Sequence, residues 1–228
     1  YQTAIVFVAV AALLDAIDGR IARLLKSMSR FGAELDSIAD FVNFGVAPAI
    51  MLYVWTLNEL GRLGWMAVLV YVICAALRLA RFNVALDAPD KPTWRAGVFV
   101  GVPAPAGAMT VMLPAYAEFM RLPHGLATAP FAFVYMLAIG ILMVSRLPTW
   151  SGKLVGWRIA RERVAPLFVL GVLLVACLVS FPWETLTVLT LVYLGSLPFS
   201  WRAYRRRKKA EEATAPSGDT PSEGARVP

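Results

Sequence analysis

Leu63-Gly-Trp-Met-Ala-Val-Leu-Val-Tyr-Val-Ile-Cys-Ala-Ala-Leu77 runs without a single charge, and Arg78 and Arg81 follow at its end. Crossing the hydrocarbon of a bilayer as a helix takes roughly 20 mostly apolar residues. The segment 63–84 reaches that length with its basic residues gathered at one end. The same pattern recurs at 1–25, 35–57, 96–118, 127–146, 164–181 and 184–203. Composition agrees: the 228 residues are 59% hydrophobic and 16% charged, with a mean hydropathy of +0.65. A soluble domain is about half apolar and about a quarter charged, so an ordinary cytosolic enzyme is excluded. A disordered chain, rich in charge and poor in aromatics, is excluded too. The apolar runs are long and lack period-2 alternation, which excludes a β-barrel. The expectation is an all-α integral membrane protein, a polytopic bundle of about seven transmembrane helices.

Turn-forming residues separate the spans at 58–61, 87–92, 122–125 and 181–182. Orientation follows from the basic residues. With the 26–34 loop placed in the cytoplasm, that side collects 20 of the 22 Lys and Arg, leaving only Arg62 and Arg121 opposite. The net charge of +7 therefore reads as membrane topology, and no nucleic-acid partner is expected. The basic run 205–209 reads as an anchor drawn to anionic lipid, and the polar tail after it, to 228, as disordered. The chain starts without Met inside an apolar run and with no basic n-region before it, so a further helix is expected to precede residue 1. Cys74 and Cys177 lie in apolar runs and read as small buried hydrophobes, not a disulfide framework. His124, in a connector on the outer side, reads as solvated.

Ionisable groups at membrane depth are expensive and functional by default. Four cluster near the cytoplasmic ends of the first two spans: Asp15 and Asp18, spaced i,i+3, and Asp36 and Asp40, spaced i,i+4. Each pair shares one helix face, and the short connection makes the two helices antiparallel neighbours. Four carboxylates converging in a low dielectric repel strongly and call for cations. Oxygen-only ligands suit Mg²⁺, Mn²⁺ or Ca²⁺ and not zinc; a pair of such ions binds phosphate oxygens and stabilises displacement at phosphorus. Gly19 and Ala22 lie beside the first acidic face, clearing room for a ligand or forming a small-residue helix contact. Arg23 is placed either to bind phosphate or to snorkel to the interface.

The full spacing is Asp15-Ala-Ile-Asp18-Gly19-Arg-Ile-Ala22-Arg23, eight residues, then Gly32-Ala-Glu-Leu-Asp36-Ser-Ile-Ala-Asp40. It resembles the signature of the CDP-alcohol phosphotransferase family, D-x-x-D-G-x-x-A-R, eight residues, G-x-x-x-D-x-x-x-D, and every defined position matches. The resemblance implies a six-helix core, a homodimer, and an active site open to the cytoplasm. It implies transfer of the substituted phosphate of a CDP-linked donor to an alcohol, releasing CMP. By that resemblance Asp15, Asp18, Asp36 and Asp40 hold two divalent cations, Mg²⁺ or Mn²⁺, and Asp40 is also the base for the acceptor hydroxyl. Asp18, Gly19, Ala22, Arg23 and Gly32 bind the nucleotide and its diphosphate.

Two further segments, Asp40-Phe-Val-Asn-Phe44-Gly45-Val46-Ala47-Pro48-Ala49 and Arg78-Leu-Ala-Arg81-Phe82-Asn83, with Gly101-Val-Pro103-Ala-Pro105, are similar to the bacterial membrane-bound phosphatidylserine synthases over residues 10–145. That branch implies CDP-diacylglycerol as donor, L-serine as acceptor, membrane lipids as surroundings, and the bacterial inner (cytoplasmic) membrane as location. Serine carries a carboxylate, so its pocket needs a cation. Arg78 and Arg81, spaced i,i+3, are placed to face one anion, or else to anchor the span end; Asn43, one turn from Asp40, is placed to hydrogen-bond the acceptor. Gly45 and Pro48 read as a helix kink. The resulting division is a catalytic membrane core, 1–146; a basic cytoplasmic loop, 147–163; two additional helices, 164–203; and a tail, 204–228. Glycerol 3-phosphate or inositol phosphate as acceptor is the nearest alternative. A cation transporter would need acids in later spans, and 127–146 and 164–181 have none. A non-catalytic scaffold leaves the four carboxylates unexplained.

Overall fold

The computed structural model describes residues 2–24, 29–87, 98–120, 128–145, 148–150 and 161–214. The first helix, α1 (Gln2–Leu24), buries Ile5 and Val8 against the helices that follow. Next, α2 (Arg30–Asp40) is started by Ser29, whose hydroxyl accepts the Gly32 N–H at 3.0 Å and satisfies one orphan donor of the first turn. A Cβ on Gly32 would lie 3.0 Å from that hydroxyl oxygen, so the glycine also serves the cap. The winding then changes to a π-helical segment, Phe41–Val46, and returns to α-helix in α3 (Ala47–Trp55).

Proline explains what happens at this change. In a regular helix the N–H of residue 48 would bond the carbonyl of residue 44, and Pro48 has none. Inside a bilayer every freed carbonyl must find a donor within the protein. Tyr71 supplies it: its hydroxyl donates to the Phe44 carbonyl at 3.3 Å, with both side chains fully buried. The expected kink at Gly45 and Pro48 is thus a π-bulge. Gly45 lets it seat closely, since an added Cβ would come within 3.0 Å of the Ala75 Cβ.

A 3₁₀ turn (Leu57–Leu60) and Gly61, at φ +54°, lead into α4 (Arg62–Asp87). Gly64 is required there, because a Cβ would fall 1.9 Å from the Leu57 carbonyl oxygen. Then come a short strand β1 (Val98–Val100), α5 (Ala104–Val111), α6 (Leu113–Phe119) and α7 (Ala129–Val144). Pro114 separates α5 from α6 and cannot supply the regular helical donor to the Thr110 carbonyl, which accepts the Met112 N–H and, at 3.0 Å, the Tyr135 hydroxyl of α7. The same device therefore operates twice. The strand β2 (Pro148–Trp150) pairs antiparallel with β1, Val98 opposite Trp150 and Val100 opposite Pro148. Finally α8 (Arg161–Ser180) and α9 (Pro182–Thr214) pack together, joined through Phe181. α4 packs most extensively on α7, and α9 lies on α6, where Trp183 meets Phe119 at 4.7 Å and Tyr116 at 6.4 Å between ring centroids.

The fold is helical as expected, apart from that two-stranded ribbon. Among the described residues two helical stretches, 31–55 and 62–85, are long and apolar enough to cross a membrane; 2–12, 129–144 and 168–180 are shorter apolar helices. Large apolar side chains face outward, among them Ile73 and Val84 on α4 and Phe168, Val169 and Val179 on α8. Such continuous exposed apolar surface fits lipid and not water. This is a helical membrane protein; the expected count of seven spans is not reached by length and hydropathy alone.

The expected span at 96–118 is corrected. Residues 98–100 form β1, Gly101 turns at φ +82°, and helix starts only at Ala104, because Pro103 and Pro105 fit a helix start and not its interior. A Cβ on Gly101 would lie 2.4 Å from the Met143 carbonyl oxygen, so the turn depends on that glycine. The basic loop 147–163 likewise contains β2 and the start of α8. The polar tail expected to be disordered after 209 is helical to Thr214, in keeping with the strong helix propensity of its Ala and Glu. Residues 215–228, His124 and the connector 88–97 lie outside the described residues. Cys74 and Cys177 are free and half-buried.

Candidate functional site

The motif acids sit where the sequence places them on the backbone. Asp15 and Asp18 belong to the C-terminal half of α1, and Asp36 and Asp40 to α2. The side chains of Asp15, Asp18, Ala22 and Arg23, and the surroundings of Gly19, lie outside the described residues, so the convergence of all four acids does too. Asp36 is exposed, and Asp40 half-buried at the end of α2. Between them Ser37 donates to the Ala33 carbonyl at 3.0 Å and accepts the Asn83 amide at 3.1 Å. That second bond ties the end of α4 to the acidic helix. Among the described residues no group of three or more His, Cys, Asp or Glu side chains could hold a metal ion. Asp36 and Asp40 fit a hard divalent cation in kind: both are oxygen donors on one helix face, without nitrogen or sulfur beside them in the motif.

The two arginines of α4 part company. Arg78 is buried, 9% exposed, with its guanidinium 5.4 Å from the Phe82 ring centroid. It lies within electrostatic reach of the Asp40 carboxylate and of the Tyr193 hydroxyl. Arg81 turns away: its Nη1 donates to the Val144 carbonyl at 2.7 Å, at the C-terminal end of α7. There a cation meets an orphan carbonyl and the negative end of the helix dipole. The structure thus places Arg78 within electrostatic reach of Asp40 and engages Arg81 elsewhere, where their i,i+3 spacing left open one shared anion or an anchor for the span end. Asn43 falls in the π-helical segment, half-buried, while its neighbour Phe44 is the residue buried against α4.

Three residues of this region escaped sequence reasoning. Ser37 and Asn83 stood inside the segments that carried the resemblance, but nothing local pairs them across 46 residues. Tyr193 had a fainter signal. On α9 the residues Leu186, Thr187, Thr190 and Ser200 are buried while Val188, Leu189, Leu191, Val192 and Phe199 are exposed. Apart from Leu186, the buried side of this helix carries the hydroxyls and the outward side is apolar, an arrangement that suits lipid as solvent.

Comparison with known proteins identifies the family. The family model for CDP-alcohol phosphatidyltransferases matches residues 1–145, and a second, described as CDP-alcohol phosphatidyltransferase 2, matches 162–198, the α8–α9 region. A CDP-diacylglycerol–serine O-phosphatidyltransferase of Mycobacterium leprae is 39% identical over 200 residues, 87% of this chain and 65% of that protein. Those of Mycobacterium bovis, 38% identical over 90% of this chain and 70% of theirs, and Helicobacter pylori, 34% over 82% and 74%, are similar over comparable lengths. With the motif intact on α1 and α2 and the match running through the rest of the bundle, the chain belongs to the CDP-alcohol phosphatidyltransferase family.

Proposed function

We propose that this protein transfers the phosphatidyl group of CDP-diacylglycerol to the hydroxyl of L-serine, giving phosphatidylserine and CMP. The names of its relatives support this acceptor. The observation that carries it is the buried Arg78 brought to Asp40 at the end of the acidic helix. A base and a buried cation within electrostatic reach of each other suit an acceptor with both a hydroxyl and a carboxylate. Asp15, Asp18, Asp36 and Asp40 would hold two divalent cations, Mg²⁺ or Mn²⁺. When bound, these supply positive charge to the diphosphate and to the charge developing at phosphorus.

The protein's own groups do the rest. Asp40 takes the proton of the serine hydroxyl as its oxygen forms the new bond to the phosphorus bearing diacylglycerol. The bond from that phosphorus to the CMP oxygen breaks, and CMP leaves with Arg23 on its phosphate. Gly19, Ala22 and Gly32 leave room for the nucleotide. Arg78 orients the serine carboxylate, and Asn43 lies near enough in sequence to Asp40 to bond the acceptor. The route is sequential, since the acids are committed to cations and none is left as a nucleophile. The site faces the cytoplasm of a bacterial inner membrane, in a chain of seven spans that acts as a homodimer among membrane lipids. The core 1–146 performs the chemistry, and 164–203 adds two helices to it.

An acceptor panel tests the proposal. The purified chain in mixed micelles with CDP-diacylglycerol and Mg²⁺ or Mn²⁺ is offered serine, glycerol 3-phosphate, inositol phosphate or choline. CMP release and phosphatidylserine with serine alone are expected. Product with glycerol 3-phosphate and none with serine overturns it.

A further inference from the structure

Buried tyrosines of this bundle are placed to satisfy carbonyls. Tyr71 donates to Phe44, Tyr116 to Met109 at 3.0 Å, and Tyr135 to Thr110. Tyr193 departs from the pattern. Its hydroxyl oxygen is buried, yet it has no hydrogen-bond partner among the described residues. A buried phenol without a partner forfeits the full desolvation of its O–H, and such an atom in a native fold needs a reason. Its surroundings give one. The hydroxyl lies in the field of the Arg78 guanidinium without bonding to it, and Arg78 in turn faces Asp40. A phenol donor and a guanidinium within electrostatic reach of each other are what an acceptor-only carboxylate takes.

We propose that Tyr193, on the added helix α9, is an acceptor-binding residue whose hydroxyl donates to the carboxylate of the incoming amino acid alongside Arg78. This rests on the serine reading above and extends it, because it assigns the last helix a part in choosing the acceptor. Serine is then recognised at two points: its hydroxyl by Asp40 near the end of the motif helix, its carboxylate by α4 and α9. Acceptors of the same size without that carboxylate leave Tyr193 unpaired and bind poorly.

Tyr193→Phe removes one oxygen and keeps the ring. The full chain in mixed micelles is assayed for KM and kcat with serine, with L-serinamide, which keeps the hydroxyl and amine but lacks the charged carboxylate, and with varied CDP-diacylglycerol. The KM for serine should rise about tenfold or more in the variant, with the KM for CDP-diacylglycerol unchanged. L-serinamide should be used equally by both proteins, since the lost partner is absent from it. An unchanged serine KM in an active variant overturns the role of Tyr193 and leaves the serine reading standing. Equal losses with serine and serinamide also overturn it, marking the hydroxyl as structural. Wild-type protein that makes no phosphatidylserine overturns both.

Discussion

The middle of the bundle and its cytoplasmic rim treat polar groups in opposite ways. In the middle, Pro48 and Pro114 free two carbonyls, and Tyr71 and Tyr135 from neighbouring helices satisfy them. Small residues let neighbouring side chains seat closely, Ala75 against Gly45 and Met143 against Gly107. At the rim Asp36 is exposed, Asp40 half-buried and Arg78 buried beside it, while the Tyr193 hydroxyl is left over. Polar groups paired within the fold stabilise it. The Tyr193 hydroxyl, which has no partner among the described residues, is available to a ligand. A hydroxyl of the same residue type thus does structural work on α4 or α7 and, by our proposal, recognition on α9.

Four substitutions break or sharpen this contrast. Asp36→Asn, at the rim, should lower CMP release at least about a hundredfold by removing charge needed at phosphorus, with the thermal midpoint in detergent unchanged. Retained turnover would remove Asp36 from the chemistry. Tyr71→Phe, in the middle, should do the reverse. It leaves the Phe44 carbonyl without its donor and should destabilise by about 1 kcal/mol, read as a lower thermal midpoint with serine KM intact. Arg81→Ala should also be a stability variant, losing about 0.5–1 kcal/mol with its bond to the end of α7. A selective rise in serine KM would instead return Arg81 to the acceptor site. The most local effect is expected from Ser29→Ala. Losing the cap of α2 should shift the midpoint by about 0.5–1 kcal/mol, and faster amide exchange confined to the first turn of α2 would locate it.

The arginine pair shows how far local spacing reaches. Arg78 and Arg81 are one turn apart, so sequence places them on neighbouring parts of one face, yet three residues on a helix still differ by about 60° in direction. That difference sends one side chain to Asp40 and the other to Val144. The span at 96–118 fails for a related reason. Hydropathy registers that 98–103 is apolar but is blind to backbone conformation, and Gly101, Pro103 and Pro105 decide that it is ribbon and turn.

Sequence by itself determined the membrane setting, the helical class, the paired faces of Asp15 with Asp18 and Asp36 with Asp40, and the family signature. All of these rest on composition or on spacings within one or two helices, where 3.6 residues per turn convert position into direction. Tertiary structure alone decided that Asn83 ties α4 to Ser37, that Arg78 comes within electrostatic reach of Asp40, and that Tyr193 comes within reach of Arg78 from α9. Those partners lie far apart in the sequence. Their meeting depends on the rotation and depth of whole helices, which side-chain packing sets and local pattern does not encode.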